Sequence, residues 1–334
     1  MFNSDNRLTK ILYIENELSV DESSLFFNKW IKDIITCNSC LEFLSFSNYS
    51  DFYTQMTTNQ KYAHSLSESA LLISTTNKSI ALAKTLNIAC MGFVPKRDKF
   101  LNVSYVIEGF DDLDFKYLDM VFCRFHNIPL IILETQRCII RELALSDIDD
   151  LFSLYSDTQL TKYVEPLFDY DQEIEYQTNY IKYMYEYYGY GMWLVFDKIS
   201  NKLIGRAGIE HTNTDDNNIA GPNATVELTL GYLISQEYQG KGIAFEICSA
   251  IISYVKNNLD FDTISCYIDD NNYASIALAT KLGFSAQTNN NCNNENSNNE
   301  NSNNENSCNN TINTNNNIAP NLNSLRKYSL NLSL

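Results

Sequence analysis

Residues 227–248 read ELTLGYLISQEYQGKGIAFEIC. Apolar and polar residues alternate up to Ser235, the period-two pattern of a strand. A loop follows with two closely spaced glycines, Gln239-Gly240-Lys241-Gly242-Ile243-Ala244, and leads straight into helical apolar spacing. Strand, glycine loop and helix in this order make an anion cradle. Glycine lets the backbone turn sharply and approach a ligand closely. The first amides of a helix have no intrahelical acceptor, and the helix dipole adds partial positive charge there. A pyrophosphate suits such a place. Two other phosphate loops do not fit. A P-loop needs four residues between its first Gly and a Gly-Lys-Ser/Thr, and G-x-G-x-x-G fails because Phe245 holds the third Gly position.

Working outward, the spacing predicts a helix over 242–257, a strand over 262–268 and a helix over 274–282. Upstream it predicts strands over 138–143, 193–197, 202–210 and 225–235, with a hairpin turn at Ser200 and Asn201. A helix over 146–154 would take Ser146 as N-cap and Asp149 as its capping-box acid. A Tyr-rich helix spans 175–188. At the end of the chain, Tyr328, Leu330, Leu332 and Leu334 alternate with polar residues and predict a last strand over 326–334. Between the short strand 285–287 and that last strand lies an Asn-rich tract. Of residues 289–317, 18 of 29 are Asn, with NNENS three times in register from Asn293. Such a stretch has almost nothing apolar to bury, so it reads as a disordered insertion between two strands, tolerated because long loops cost little.

Context gives the glycine loop its meaning. Gln239-x-x-Gly242-x-Ala244 matches the Q/R-x-x-G-x-G/A signature of the GCN5-related N-acetyltransferases. Some 30 residues on, Asn272-Tyr273-Ala274-Ser275-Ile276-Ala277-Leu278-Ala279-Thr280-Lys281-Leu282-Gly283-Phe284 resembles that family's second signature, an Asn opening a helix that ends in Lys-Leu-Gly-Phe. Arg141-Glu142-Leu143 and Ser146-Asp147 resemble the opening strand and helix of the branch that acetylates ribosomal-protein N-termini. The resemblance covers about 137–288 plus 325–334. It implies an α/β fold with a mixed, splayed sheet flanked by helices. It places acetyl-CoA in the splay as co-substrate, with no metal. The pyrophosphate would lie on the amides of Gln239, Gly240, Lys241, Gly242, Ile243 and Ala244. The pantetheine would pair with the backbone near Leu233 and Ile234, and Asn272 would bond near the thioester. The reaction is direct attack of an amine on the thioester, so a proton must be taken from the ammonium and one given to the thiolate. A module that binds acetyl-CoA or a protein without catalysis is the alternative.

The candidate base is Glu227, on the same strand face as Leu233. His211 has the pKa suited to the task, and Glu210 competes with it. The family's frequent Tyr acid is absent, because its position holds Ala279; Tyr273 or Ser275 might stand in. The Tyr-rich segment suggests either an aromatic wall for a cationic amine or simply a half-buried amphipathic helix. The acceptor is either a peptide N-terminus or a small cationic amine.

The first half reads as a separate, smaller parallel α/β domain over 1–133, Rossmann-like. Strands are predicted over 8–14, 70–74, 88–94 and 105–107, and helices over 21–34, 77–86 and 111–125. Pro129 breaks the last helix, and 128–134 reads as the join. Residues 70–94 are faintly similar to haloacid-dehalogenase-like folds. The nucleophile pair of those hydrolases is missing, since the first strand runs into Glu15-Asn16-Glu17 and the later one ends in Ser74-Thr75-Thr76, so the domain is expected to be non-catalytic. Cys37-x-x-Cys40 has no second ligand pair for a zinc site.

Composition excludes other classes. The formal net charge is -17, with 24 basic against 41 acidic residues, so nucleic acid is a poor partner. Of that charge, -14 falls on residues 134–334, which suits cations and amines. No apolar run reaches the ~18 residues of a membrane helix. Nine scattered Cys and a polar N-terminus suggest a cytoplasmic protein with reduced thiols.

Overall fold

The computed structural model describes residues 8–18, 23–37, 40–213, 226–287 and 325–332. The Asn-rich 289–317 and most of the loop after His211 lie outside these. The chain forms two compact units, Met1–Leu130 and Ile131–Leu334.

The first unit is a five-stranded parallel sheet of β1 (Lys10–Ile14), β2 (Glu42–Phe46), β3 (Ala70–Ser74), β4 (Ala89–Phe93) and β5 (Val106–Ile107), in the order β2-β1-β3-β4-β5. Its helices are α1 (Glu15–Leu18), α2 (Ser23–Cys37), α3 (Tyr49–Thr58), α4 (Gln60–Ser67), α5 (Asn77–Thr85) and α6 (Phe115–Phe125). Alternate strand residues point to opposite faces, and two cores result. Ile11, Leu71, Ile73 and Met91 pack on Phe27, Trp30 and Ile34 of α2 and Leu118, Val121 and Phe122 of α6. Leu12, Leu72 and Cys90 pack on Phe52, Met56, Leu66, Ile80 and Ala83 of α3, α4 and α5. Both sheet faces are covered, as a parallel sheet requires. The helix expected from 111 begins only at Phe115, because Asp114 caps it by accepting from Tyr117 N–H at 2.8 Å. At the carboxyl ends of β1 and β3, the Glu17 carboxylate accepts hydrogen bonds from Ser74 Oγ (2.6 Å), Thr75 N (3.2 Å), Thr76 Oγ1 (3.0 Å) and Ser79 Oγ (2.6 Å). Cys40 is exposed with a free thiol; the side chain of Cys37 and residues 38–39 lie outside the described residues.

The second unit is an eight-stranded sheet in the order β12-β13-β11-β10-β9-β8-β7-β6. Its strands are β6 (Ile131–Glu134), β7 (Cys138–Arg141), β8 (Met192–Asp197), β9 (Leu203–Asn213), β10 (Val226–Ile234), β11 (Thr263–Asp269), β12 (Ser285–Ala286) and β13 (Leu325–Asn331). All neighbours are antiparallel except β10 and β11, which are parallel and joined by α10 (Ile243–Asn258). Ile131–Glu134, inside the expected join, pairs with β7 as the edge strand. The remaining helices are α7 (Ile148–Tyr155), α8 (Tyr170–Tyr180), α9 (Glu186–Tyr188) and α11 (Tyr273–Lys281).

Two local expectations are corrected. Ser146 is not an N-cap; it sits inside a 3-10 turn, Leu145–Asp147, that precedes α7. The capping acid is Asp147, whose Oδ2 accepts from Ala144 N–H at 2.8 Å. Asp147 is committed there because Arg141 grips both its oxygens at 2.7 Å, with all three groups out of water. The Tyr-rich helix is also not continuous. Between α8 and α9 the chain makes a π turn, Ile181–Tyr185, before Gly189 ends it at φ 74°. In an α-helix residues five apart diverge around the axis; the wider π turn brings Tyr180 and Tyr185 to one side, both buried, with rings 5.4 Å apart.

Candidate functional site

The site begins where a ladder stops. β10 and β11 pair only at Leu228/Ile264 and Thr229/Ser265. Beyond these, β10 runs on to Ile234 and β11 to Asp269, each held on its outer side by β9 and β13 and neither by the other. The result is a V whose walls offer backbone groups that an extended polar ligand can satisfy.

Above the V, β10 leads through a 3-10 turn, Gln236–Tyr238, into the glycine loop. Gly240 and Gly242 stand at φ 70° and 77°, left-handed values that L side chains rarely adopt. A Cβ at Gly240 would meet nothing within 4 Å, and one at Gly242 only the Arg137 guanidinium at 3.8 Å, so the outer side of the loop is open. Gly242 is the N-cap of α10 and no side chain caps the helix, which leaves its first amides for something else. Two ties hold the loop. Gln239 Nε2 donates to Ile234 O at 2.9 Å. Arg137 Nη1 donates to Lys241 O at 2.8 Å, while its Nε and backbone N hold Glu246 at 2.7 and 2.9 Å. Burial raises the Glu246 pKa, but bonds from Thr135 and Arg137 outweigh it and keep the carboxyl below its ordinary range. Arg137 carries no family signature, so sequence reading passed over it.

On the other wall, Asn272 opens α11. Its Oδ1 accepts from Ser275 N–H at 3.2 Å, which leaves the NH2 group to donate elsewhere.

Register sorts the candidate bases by face. Paired residues of adjacent strands share a face, so Glu210, opposite Thr229, lies on the same face as Glu227, whereas His211, opposite Leu228, lies on the other. The structure therefore does not bring His211 and Glu227 together. His211 is half-buried against Tyr188, with ring centroids 4.3 Å apart, and its Nδ1 has no partner among the described residues. Glu227 sits where β10 and β11 still pair. It accepts from Ser265 Oγ and from Tyr267 Oη (3.1 Å), and Lys327 Nζ of β13 lies at 2.6 Å. Burial acts to raise its pKa, but the bonds from Lys327, Ser265 and Tyr267 win and hold the carboxyl below its usual value.

Glu210 has a different setting. Its Oε1 accepts from Tyr180 Oη at 2.5 Å, and that hydroxyl in turn accepts from Met192 N–H at 2.7 Å. Burial and the adjacent Glu210 push the Tyr180 phenol well up, so it stays a donor. From Tyr180 a row of rings leads outward: Tyr176 at 5.9 Å, then Phe168 at 5.3 Å from Tyr176. Tyr180 is 7% exposed, Tyr176 43% and Phe168 53%, so the row descends from the surface to a carboxylate. Glu173, buried, fixes the mouth by accepting from Phe168 N–H (3.0 Å) and Gln177 Nε2 (2.7 Å). The sequence flagged these Tyr residues but could not rank them.

Comparison with known proteins follows this geometry. The acetyltransferase (GNAT) domain profile matches residues 137–285. The uncharacterised protein YkkB of Bacillus subtilis is 30% identical over 152 residues, which cover 45% of this chain and 83% of YkkB. The uncharacterised N-acetyltransferase YoaA of the same organism is 27% identical over 158 residues, 47% of this chain and 84% of that one. An acetyltransferase structure from Agrobacterium tumefaciens, at 18% identity and TM-score 0.41, covers 59% of this chain and 92% of its own. The chain belongs, through its second unit, to the GNAT acetyltransferases, which transfer acetyl from acetyl-CoA to amines, and it is an N-acetyltransferase.

Proposed function

We propose that acetyl-CoA lies along the V with its pyrophosphate on residues Gln239 to Ala244, and that a cationic amine enters over the ring row to attack the thioester. The observation that carries this is the end of β10–β11 pairing at Thr229/Ser265, directly below a glycine loop with open space and uncapped helix amides. The residues fit the co-substrate. Leu233 and Ile234 offer backbone groups on the V side, Ile243 and Ala244 offer helix amides, and Asn272 offers its NH2.

The proton acceptor in this reading is Glu210, not Glu227 or His211. A carboxylate pinned by Lys327 and held below its usual pKa is a weak base. His211 looks to the opposite face. Glu210 stands at the inner end of the aromatic row, where an ammonium meets ring faces and then a carboxylate. Three carboxylates, Glu210, Glu173 and Glu165, act on Tyr176, in keeping with a positively charged acceptor. Both a peptide N-terminus and a small amine carry such a group. Thiol release with short peptides and with small polyamines separates them, and turnover of neither discards the acceptor reading.

Titration calorimetry with acetyl-CoA tests the cofactor site. Binding is expected in the wild type and is weakened at least ~10-fold in Gly242→Val, because a β-branched residue at positive φ costs about 1–3 kcal/mol. No heat at millimolar acetyl-CoA would sink the assignment. For the first unit we propose no hydrolase chemistry, since the Glu17 carboxylate is engaged by four donors of its own fold. Magnesium-dependent hydrolysis of p-nitrophenyl phosphate, absent after Glu17→Gln, would overturn that.

A further inference from the structure

Tyr232 lies on β10 three residues past the last bridge to β11, on the V, and its backbone pairs with Ala207 on the far side. Its side chain leaves the sheet on the face opposite Glu210 and Glu227. There the hydroxyl is within electrostatic reach of Cys248 on α10, Cys266 on β11 and Ser275 on α11. Ser275 is close enough to bear on the phenol proton but not aligned to bond it, and Tyr232 Oη makes no hydrogen bond with any described residue although it is shut off from solvent. A buried hydroxyl without a partner costs about 1–3 kcal/mol. Such a group asks for a ligand atom that completes it.

α11 shows what is missing opposite it. Ser275 and Ala279 are four residues apart on one helix face, and Ala279 is buried. That is the position at which the second signature commonly carries a tyrosine acid. A methyl group there leaves the leaving thiolate without a donor from α11, while a phenol from β10 lies next to the same helix face.

We propose that Tyr232 supplies the proton to the coenzyme A sulfur, so that the acid has moved from α11 to the strand. The proposal rests on acetyl-CoA lying in the V. The step balances as follows. The amine nitrogen bonds the thioester carbonyl carbon, the C–S bond breaks and its electron pair goes to sulfur. The phenol O–H proton passes to that sulfur to give the free thiol. The amine's proton leaves through Glu210 to water, and water returns one to the phenolate. Burial raises the phenol pKa, so the group holds its proton across the neutral range, as an acid must.

The experiment uses the full chain and coenzyme A itself, with no acceptor. The thiol of bound coenzyme A is titrated by thiolate absorbance in wild type, Tyr232→Phe, and Tyr232→Phe with Ala279→Tyr. A hydroxyl aimed at sulfur stabilises the thiolate, so the bound thiol should titrate ~1 pH unit or more below its value in Tyr232→Phe. The double variant should restore much of that shift, because it returns a phenol to the helix. The melting temperature of Tyr232→Phe should not fall, since the lost hydroxyl has no partner to strand. Equal midpoints in wild type and Tyr232→Phe would overturn the proposal while leaving the cofactor site intact. If the Phe variant fails to fold, a wild-type midpoint no lower than that of free coenzyme A overturns it equally. Failure of the wild type to bind coenzyme A removes the cofactor reading and this proposal with it.

Discussion

Arg141 and Asp147 show how a single side chain fixes an element. The guanidinium holds both carboxylate oxygens, donates to Glu142 O and lies 4.2 Å from the Phe196 ring centre, so strand β7, the 3-10 turn and β8 meet at one charge. Breaking a buried pair from one side leaves the other charge uncompensated, at about 3–5 kcal/mol. Asp147→Asn should therefore lose most of that in a urea melt, and a loss below ~1 kcal/mol would show the pair to behave as a surface bridge. Glu227 gives a pH prediction with a definite sign. Its folded pKa lies below the ordinary carboxylate value of 4.5. Its contribution is thus complete above that ordinary value and is lost as pH falls through the lowered folded value. Glu227→Gln should flatten the dependence of melting temperature on pH below about 4.5 relative to wild type; an unchanged acid limb would show that other carboxylates carry it.

At the scale of elements, the π turn is the feature on which the aromatic face depends. Tyr185 Oη donates to Met192 O at 2.5 Å and accepts from Leu143 N–H at 3.3 Å, while Tyr180 reaches Glu210. Deleting the exposed Lys182 would return the segment to α geometry and rotate Tyr185 by about 100°. Two buried backbone groups would lose their partner, so the deletion should cost more than Tyr185→Phe, itself about 1–3 kcal/mol. Equal melting temperatures for the two variants would show that the turn is not what places the ring. A π turn leaves no mark in apolar spacing, which is why 175–188 reads as one helix. Elsewhere legibility followed local signals. The strand at 70–74 and the helix from Asn77 stand where period and cap put them. Residues 41–69 yielded no reading, yet hold β2, α3 and α4; α3 buries only Phe52 and Met56 amid Thr and Tyr, so its face is too sparse to see, although Asn48 and Asn59 cap α3 and α4 openly. The glycine loop was legible because positive φ needs glycine. Glu227's role was not, because its partners Ser265, Tyr267 and Lys327 come from other strands and meet only in the folded sheet.

Across the second unit, the sheet depends on a strand that arrives last. β13 pairs along its whole length with β11, from Thr263/Asn331 to Asp269/Leu325, and carries Lys327 to Glu227. It also pairs with β12 at Ser285/Ser329 and Ala286/Tyr328, and Gln287 N–H reaches Lys327 O at 2.9 Å. The chain therefore leaves β12 beside the place where it enters β13, and residues 289–317 connect points already close together. For such a connection, loop closure changes by only ~0.6 kcal/mol per doubling of length. Replacing 289–317 by a short Gly-Ser linker should leave both melting temperature and acetyl-CoA affinity nearly unchanged. Ending the chain at 288 should abolish both, because β11 would lose its outer partner and expose a row of unpaired backbone groups on the wall of the V. If the linker variant lost cofactor binding as fully as the truncation, the tract itself would belong to the structure, and the independence argued from the β12–β13 register would be wrong.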